Sequence, residues 1–126
     1  MATLLFTHPV CLHHDTGDYH PECADRLKAV LQGLESEEFM MLLREEAPQA
    51  TREQLLRAHA AHHVDHVLSS VPEPGEFFHI DPDTVLSYQS GDAALRAAGA
   101  VVAAVDAVAA RQVRNASMVA CSRAFP

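Results

Sequence analysis

The segment at residues 93–110 constrains the fold more than any other part of the sequence, because it is almost entirely apolar and rich in alanine and valine. Its length predicts a helix of roughly five turns. Arg96 and Asp106 lie inside it, and a membrane would impose a large desolvation cost on both charges. We therefore predict a buried or half-buried helix of a soluble protein. Its predicted buried stripe consists of Leu95, Ala98, Val102, Val105 and Ala109.

The start of this helix also has a signature. Ser90 can accept a hydrogen bond from a backbone amide of the first turn and is predicted as its N-cap. Asp92 would lie near the positive end of the helix dipole. These two residues predict a helix that begins shortly after residue 90.

The size and charge of the chain limit its organisation and its partners. With 126 residues, of which 48% are hydrophobic, it is predicted to form a single domain over residues 1–126. The formal net charge is -8, and no run of Lys or Arg occurs. Because nucleic-acid binders need a basic surface, DNA and RNA are not expected as partners.

The cysteines and the N-terminus give expectations about the compartment. Cys11, Cys23 and Cys121 are an odd number at wide spacing, which favours reduced thiols over a disulfide framework or a zinc ribbon. The first residues lack the basic region of a secretory signal. We therefore expect a cytoplasmic protein.

Periodicity and composition predict the first elements of the chain. Residues 4–6 are apolar and predict a buried strand, whereas residues 11–23 are polar, contain Gly17 and Pro21, and predict a hydrated surface loop. A helix is predicted from Asp25. Its apolar stripe would consist of Leu27, Val30, Leu31 and Leu34.

Further elements follow the same logic. Residues 37–44 are predicted as a second helical piece. Thr51 and Gln54 have the spacing of a capping box, which predicts that one or two short helices follow up to residue 68. Residues 77–90 are predicted as a loop and residues 113–121 as a second strand. This order of strands and helices indicates an α/β protein.

Three stretches carry the most distinctive motifs, and they occur in a fixed order. They are residues 14–22 followed by Arg26, residues 55–59 followed by Val64 and Asp65, and residues 81–84 followed by the long helix. In this order and spacing the chain resembles the superfamily of histone deacetylases, acetoin-utilisation proteins and acetylpolyamine amidohydrolases. The resemblance extends along nearly the whole sequence.

The resemblance implies a fold and an activity. The fold would be a partial arginase-like or deacetylase-like three-layer α/β fold, with a mostly parallel sheet flanked by helices. Complete members use a zinc ion, held by two Asp and one His, with a tandem His pair to hydrolyse N-acetyl amides of lysine or polyamines. In the family the tandem His pair belongs to an Arg-Pro-Pro-Gly-His-His type motif directly after the strand that is predicted to end near Cys121, and residues 121–126 of this sequence read differently. We therefore expect a truncated N-terminal portion that has no catalytic residue and no zinc ligand, and that is inactive alone.

The resemblance also assigns roles to individual residues. His20, Pro21 and Glu22 match a loop on the rim of the substrate channel, and Arg26 matches an Arg behind the site. Asp83 matches the Asp that accepts hydrogen bonds from the backbone of an acetyl-lysine substrate. The expected partner is therefore an acetylated amine or acetyl-lysine.

Some positions depart from the family or permit another interpretation. Asp81 is an alternative register for the substrate-binding Asp, although both Asp residues also suit an ordinary turn. Residues 23–24 are Cys-Ala where Arg-Pro is common, and His63 stands where Tyr is usual. Arg26 also suits a plain surface position on a helix.

Two other classes of function stay open at this point. One is a binding or regulatory module that pairs with another chain, or with itself, through exposed sheet edges. The other is a small metal-binding protein, because His59 with His63, and His62 with His66, have i, i+4 spacing. The polar cluster of residues 13–20 suits a solvated loop better than a metal site. No Ser-His-Asp or Cys-His arrangement is apparent.

A zinc titration distinguishes the metal-binding alternative from the others. By isothermal titration calorimetry we expect no submicromolar binding, because a His pair supplies only two of the usual four ligands of structural zinc. Submicromolar binding that disappears when His62 and His66 are both replaced by Gln would support the metal-binding alternative instead. His13→Gln serves as the control for loss of a single His elsewhere.

Overall fold

The computed structural model describes residues 2–120. Within that part of the chain there are five strands, four α-helices and two 3₁₀ helices. The strands are β1 (Thr3–Thr7), β2 (Leu43–Glu46), β3 (Phe78–Asp81), β4 (Thr84–Leu86) and β5 (Asn115–Val119). The α-helices are α1 (Ala24–Gly33), α2 (Arg52–Leu56), α3 (Ala61–Ser69) and α4 (Ser90–Ala109), and the 3₁₀ helices are Pro9–His13 and Glu37–Phe39.

The main sheet has three strands in the order β2-β1-β5. Both pairs are parallel, with Leu4 opposite Leu43 on one side and opposite Ala116 on the other. Parallel neighbours need long crossover connections, which here contain the helices. Leu4, Leu5 and Phe6 of β1 are all buried, so both faces of the central strand are covered. The predicted strand at residues 4–6 and the α/β class are confirmed.

Helix α4 packs on this sheet through alanines. Ala93, Ala100 and Ala107 are buried and recur every seven residues. Ala100 and Ala107 lie against Leu4 and Phe6 of β1 in one core cluster. Because alanine side chains are short, the helix can approach the sheet closely.

The stripe predicted for α4 is therefore wrong in part. Val105 is 61% exposed, and Ala109 is also exposed. Leu95 and Ala98 are partly buried, but against Ala50 and the helices α2 and α3 rather than against the sheet. The prediction placed Val105 on the buried face, whereas alanines occupy the buried positions over the sheet.

The middle of α4 contacts the backbone that follows β2. The Ala50 amide donates a hydrogen bond to the Leu95 carbonyl over 2.9 Å, and Arg96 Nη1 donates to the Ala47 carbonyl over 3.0 Å. At Gly99 an added Cβ would lie only 1.8 Å from the Pro48 carbonyl oxygen. Glycine is required there because any side chain would collide with backbone.

Two predicted elements differ from the structure. Residues 37–44, predicted as helical, contain a 3₁₀ helix at Glu37–Phe39 and the beginning of β2. Residues 77–90, predicted as a loop, contain the antiparallel hairpin of β3 and β4. All residues of β2 are exposed, so its sequence has no apolar alternation to reveal a strand.

One of the two predicted helix caps is confirmed, and the buried stripe predicted for α1 is wrong in part. The capping box of Thr51 and Gln54 is present at the start of α2, as predicted. Ser90 is not the N-cap of α4, because Gln89 occupies that position and Ser90 is the first helical residue. In α1 only Leu27 is fully buried, and Val30 is 40% exposed, so its predicted stripe is wrong at that position.

The structure also describes two of the three cysteines and the long helix α4. Cys11 is buried and Cys23 is partly buried, and neither forms a disulfide with the other residues described. Cys121, and with it the predicted end of the last strand, lies outside the described residues. None of the helices within residues 2–120 has the length and hydropathy needed to cross a bilayer.

Replacing Gly99 by Ala tests the close approach of α4 to residues 47–50. Because the new Cβ would collide with the Pro48 carbonyl, we expect the free energy of unfolding to fall by about 1–3 kcal/mol, as for other overpacked cores. Gly33→Ala is the matched control, since a Cβ there meets nothing within 4 Å and should be neutral or stabilise by up to about 1 kcal/mol. Urea unfolding measures both. A G99A variant as stable as the wild type would contradict the close approach.

Candidate functional site

The rim loop, defined here as residues 14–22, follows β1 and the 3₁₀ helix Pro9–His13. The prediction of a hydrated loop over residues 11–23 is wrong for part of this segment. His14, Thr16 and Glu22 are buried, with exposures of 4%, 7% and 9%. These three residues therefore belong to the protein interior, whereas Asp15, Asp18, Tyr19 and Pro21 are exposed.

The middle of the rim loop has an unusual backbone. Gly17 has a φ of +82°, and Tyr19 has a φ of +68°, which is uncommon for a residue with a side chain. The Gly17 amide donates to Asp15 Oδ1 over 2.9 Å, which forms a local turn. Tyr19 is fully exposed. Such strain persists only where the surroundings hold the backbone in place.

His20 connects the rim loop to the turn between β3 and β4. Its Nδ1 accepts a hydrogen bond from the Glu22 amide over 3.0 Å, so in the neutral ring the proton is on Nε2. His20 Nε2 lies 3.0 Å from the Asp83 carbonyl oxygen and 3.6 Å from its carboxylate Oδ1. The imidazole thus donates to the backbone of Asp83. Three residues assigned by the resemblance, His20, Glu22 and Asp83, are brought together here.

The turn that carries Asp83 is fixed from within. The Asp83 amide donates to Asp81 Oδ1 over 2.8 Å, so Asp81 acts as a local turn acceptor. The Asp83 side chain is 61% exposed. Pro21, the other rim residue, is exposed at the loop surface. Asp81 therefore has a structural role in the turn, while the Asp83 carboxylate faces largely outward.

A buried chain of hydrogen bonds joins the start of the rim loop to the start of α4. The Asp15 amide donates to Ser87 Oγ over 3.0 Å. Ser87 Oγ lies 3.2 Å from Ser90 Oγ, and the Ser87 amide donates to Ser90 Oγ over 2.7 Å. His14 Nδ1 lies 2.7 Å from the same Ser90 oxygen. The Ser90 hydroxyl is thus the common partner of three groups.

The charged neighbours of His14 lie on its other side. His14 Nε2 is 4.0 Å from Glu22 Oε2, and Glu22 Oε1 is 4.0 Å from Arg26 Nη2. Burial lowers the pKa of His14 below its ordinary value, and His20 also lowers it, whereas the carboxylates of Glu22 and Asp15 oppose the shift. Arg26, which is 47% exposed, supports the buried Glu22 carboxylate from α1.

Ser90, His14 and Glu22 form a Ser-His-Glu series that sequence analysis missed. The hydrolytic use of such a series requires a nucleophile that a substrate can reach. Ser90 has 0% exposure, so its hydroxyl cannot attack an outside substrate in this conformation. Ser90 and His14 are 76 residues apart, and no local spacing in the sequence signals their contact. The chemistry available to this series is hydrogen bonding.

The histidines of residues 59–66 were considered above as a possible metal site. Within residues 2–120, no group of three or more His, Cys, Asp or Glu side chains is arranged to hold a metal ion. His62 and His66 lie four apart in α3, as predicted, but His59 precedes that helix. The rings of His59 and His63 are nevertheless close, with centroids 5.3 Å apart.

Comparison with known proteins places these observations in a family. The family model of the histone deacetylase domain matches residues 20–123. The crystal structure of the HDA15 HD domain matches with a TM-score of 0.88 and 23% sequence identity, over 97% of this chain and 36% of that chain. At this identity the likeness shows the fold, and the chain spans little more than a third of the protein that it matches. A search of curated proteins gave no match.

Replacing Ser90 by Ala tests the buried chain. The change removes the shared partner of His14, the Ser87 amide and the Ser87 hydroxyl at a fully buried position. We expect the free energy of unfolding to fall by about 1–3 kcal/mol, the cost of buried polar groups left without a partner. Ser69→Ala, at an exposed position of α3, should change it by less than about 0.5 kcal/mol. Equal effects of the two substitutions in urea unfolding would contradict a special role of Ser90.

Proposed function

The chain belongs to the histone deacetylase family, and on that premise we propose that its rim loop and the β3–β4 turn form part of the rim of a channel for N-acetylated amines. The observation that carries this proposal is the contact between His20 and Asp83. These residues are 63 positions apart, and the resemblance assigns both to substrate binding. Their contact joins two separate motifs of the sequence into one surface.

Asp83 is the acceptor in this proposal. Its carboxylate is 61% exposed, and a carboxylate accepts strong hydrogen bonds from amide N–H groups. His20 donates to the backbone of the same residue, and its Nε2 lies 3.6 Å from the carboxylate Oδ1, so the imidazole holds the largely exposed Asp83 carboxylate in place at the rim. An acetyl-lysine peptide offers backbone amides to such an acceptor, and an acetylpolyamine offers amine N–H groups.

Tyr19 supports the same surface. Its ring is fully exposed beside His20, on a backbone with positive φ. An exposed aromatic ring held on a fixed backbone can contact the aliphatic part of a bound amine at little cost in conformational entropy. Tyr19 is therefore a candidate contact residue on the proposed rim.

The hydrolytic step is outside this proposal. In the family a zinc ion polarises the acetamide carbonyl and the attacking water. The described residues do not fit such an ion, because none of the groups within residues 2–120 supplies three ligands. We assign to these residues the recognition of the acetylated substrate, and we propose that the chain alone does not hydrolyse it.

A second candidate function is a binding module, and the sheet edges favour it. In the described part of the chain, β2 and β5 each pair only with β1. All residues of β2 are exposed, and Met118 of β5 is 37% exposed, although strands of parallel sheets are usually buried on both faces. Such edges can pair with another chain or with a second copy. Size-exclusion chromatography with light scattering over a range of concentrations would detect self-association.

Binding of an acetyl-lysine peptide tests the leading proposal. In NMR titrations of the chain we expect chemical-shift changes at residues 14–22 and 81–84. Asp83→Asn should weaken binding by about tenfold or more, because a hydrogen bond to a charged group is worth about 1.5–3 kcal/mol. Asp18→Asn, on the exposed part of the same loop, is the charge-matched control and should bind like the wild type.

The same preparations test the absence of turnover. We expect no acetate release above background from acetyl-lysine peptides or acetylpolyamines, with or without added zinc. Zinc-dependent release that a hydroxamate inhibits would overturn the assignment of recognition alone. Shift changes confined to other surfaces, or equal affinities of D83N and D18N, would overturn the proposed rim.

A further inference from the structure

We propose that His14 is a positioning residue that holds the rim loop against the start of α4 only while its imidazole is neutral, so that protonation of His14 releases the loop. This inference concerns how the loop is held and does not depend on which substrate the rim binds. It rests on the hydrogen-bond directions around Ser90, on the burial of the groups involved and on the charges that face the ring.

The hydroxyl partners and the Glu22 carboxylate favour one tautomer of the neutral His14 ring. The Ser87 amide can only donate, so Ser90 Oγ accepts from it. If the Ser90 hydroxyl donates to His14 Nδ1, the Ser87 hydroxyl can donate to Ser90, and every hydroxyl proton has an acceptor. The neutral ring then carries its proton on Nε2, which faces the Glu22 carboxylate. The opposite tautomer would turn the Nε2 lone pair toward that carboxylate, which is unfavourable.

Protonation disrupts this arrangement at one atom. An imidazolium carries a proton on Nδ1 as well, and that proton would face the Ser90 hydroxyl, which is its donor in the neutral state. Either hydroxyl can donate to the other, so both can turn to accept the new proton, but the two amides of Asp15 and Ser87, the two hydroxyls and Nδ1–H are then five donors for the four lone pairs of the hydroxyl oxygens. One donor is left without a partner, and Ser87 and Ser90 are both buried, so the missing acceptor is costly while the loop stays in place. Movement of the loop away from α4 relieves the conflict.

The surrounding charges set the direction of the effect. The rim loop itself presents Glu22, Asp15 and His20 to the ring, and α1 presents Arg26 behind Glu22. On the α4 side the ring faces the hydroxyls of Ser87 and Ser90. Burial outweighs the two carboxylates, so the pKa of His14 in the closed loop lies below its ordinary value of 6.5. The released loop then binds the proton more readily, and the closed state loses stability as the pH falls below that value.

Release of the loop would change the proposed rim. The Asp15 amide donates to Ser87 in the same chain of hydrogen bonds, and the far end of the loop contacts Asp83 through His20. Loss of the anchor at His14 and Asp15 leaves the contacts of His20 with Asp83 and of Glu22 with Arg26 to hold the loop. The start of α4 thus controls, through one imidazole, whether the rim loop is ordered.

Amide hydrogen exchange on the full chain tests this inference. The reporters are the hydrogen-bonded amides of Asp15 and Gly17, whose acceptors are not imidazoles, and the Ala50 amide, bonded to Leu95, is the reference for global unfolding. Between about pH 8 and about pH 5, the range in which His titrates, we expect the reporters to lose protection progressively, because the closed loop binds the proton more weakly than the released loop. The protection of Ala50 should stay above that of the reporters at every pH, which shows that the reporters exchange through release of the loop and not through global unfolding.

Three variants separate His14 from its neighbours. In His14→Asn the side-chain oxygen can still accept from Ser90 but cannot titrate, so protection of the Asp15 amide should become independent of pH. His13→Asn, at the exposed neighbouring position, should behave like the wild type. His20→Asn should keep the pH dependence at Asp15. If the dependence persists in H14N, or disappears in H20N, His14 does not control the loop.

A measurement on the wild type alone keeps the test valid if a variant fails to fold. Nitrogen NMR of the imidazoles should show His14 protonated on Nε2 at neutral pH, with a titration midpoint that coincides with the loss of protection at Asp15. A proton on Nδ1, or a midpoint that differs from that of the exchange transition, would overturn the proposal.

Discussion

The position of α4 on the sheet is the constraint on which the other features depend. The helix lies close to β1 because its inner face consists of alanines, and it contacts the backbone after β2 because position 99 has no side chain. The hydrogen bond from the Ala50 amide to the Leu95 carbonyl fixes this contact. A helix with larger inner residues would stand further from the sheet, and its first turn would no longer meet the rim loop.

The first turn of α4 contains Ser90, the central residue of the buried hydrogen-bond network. Ser90 is fully buried and serves His14, the Ser87 amide and the Ser87 hydroxyl at once. Buried polar groups are tolerated only when their hydrogen bonds are satisfied, so this network fixes the relative positions of the rim loop and the β3–β4 hairpin. Glu22 extends the network to Arg26 on α1. The surface that we assign to substrate recognition thus rests on a buried polar layer rather than on an apolar one.

Other parts of the described surface are less completely packed. Val30 of α1 and Val101, Val105 and Val108 of α4 are exposed to between 39% and 61%. The outer edges of β2 and β5 have no neighbouring strand within residues 2–120. The chain spans 36% of the HDA15 HD domain that it matches in fold. Apolar helix faces and open strand edges of this kind favour contacts with further polypeptide.

The sequence by itself determined the α/β class, the strand at residues 4–6, the capping box at Thr51 and the family, because each has a local pattern that is readable along the chain. Only the tertiary structure decided that residues 43–46 form an edge strand, since a fully exposed strand has no apolar alternation. It also decided that Ser90 is a buried partner of His14 and not a helix cap, and that His20 meets Asp83. These contacts join residues 63 to 76 positions apart, and they arise from the packing of α4 and the hairpin, which no local spacing encodes.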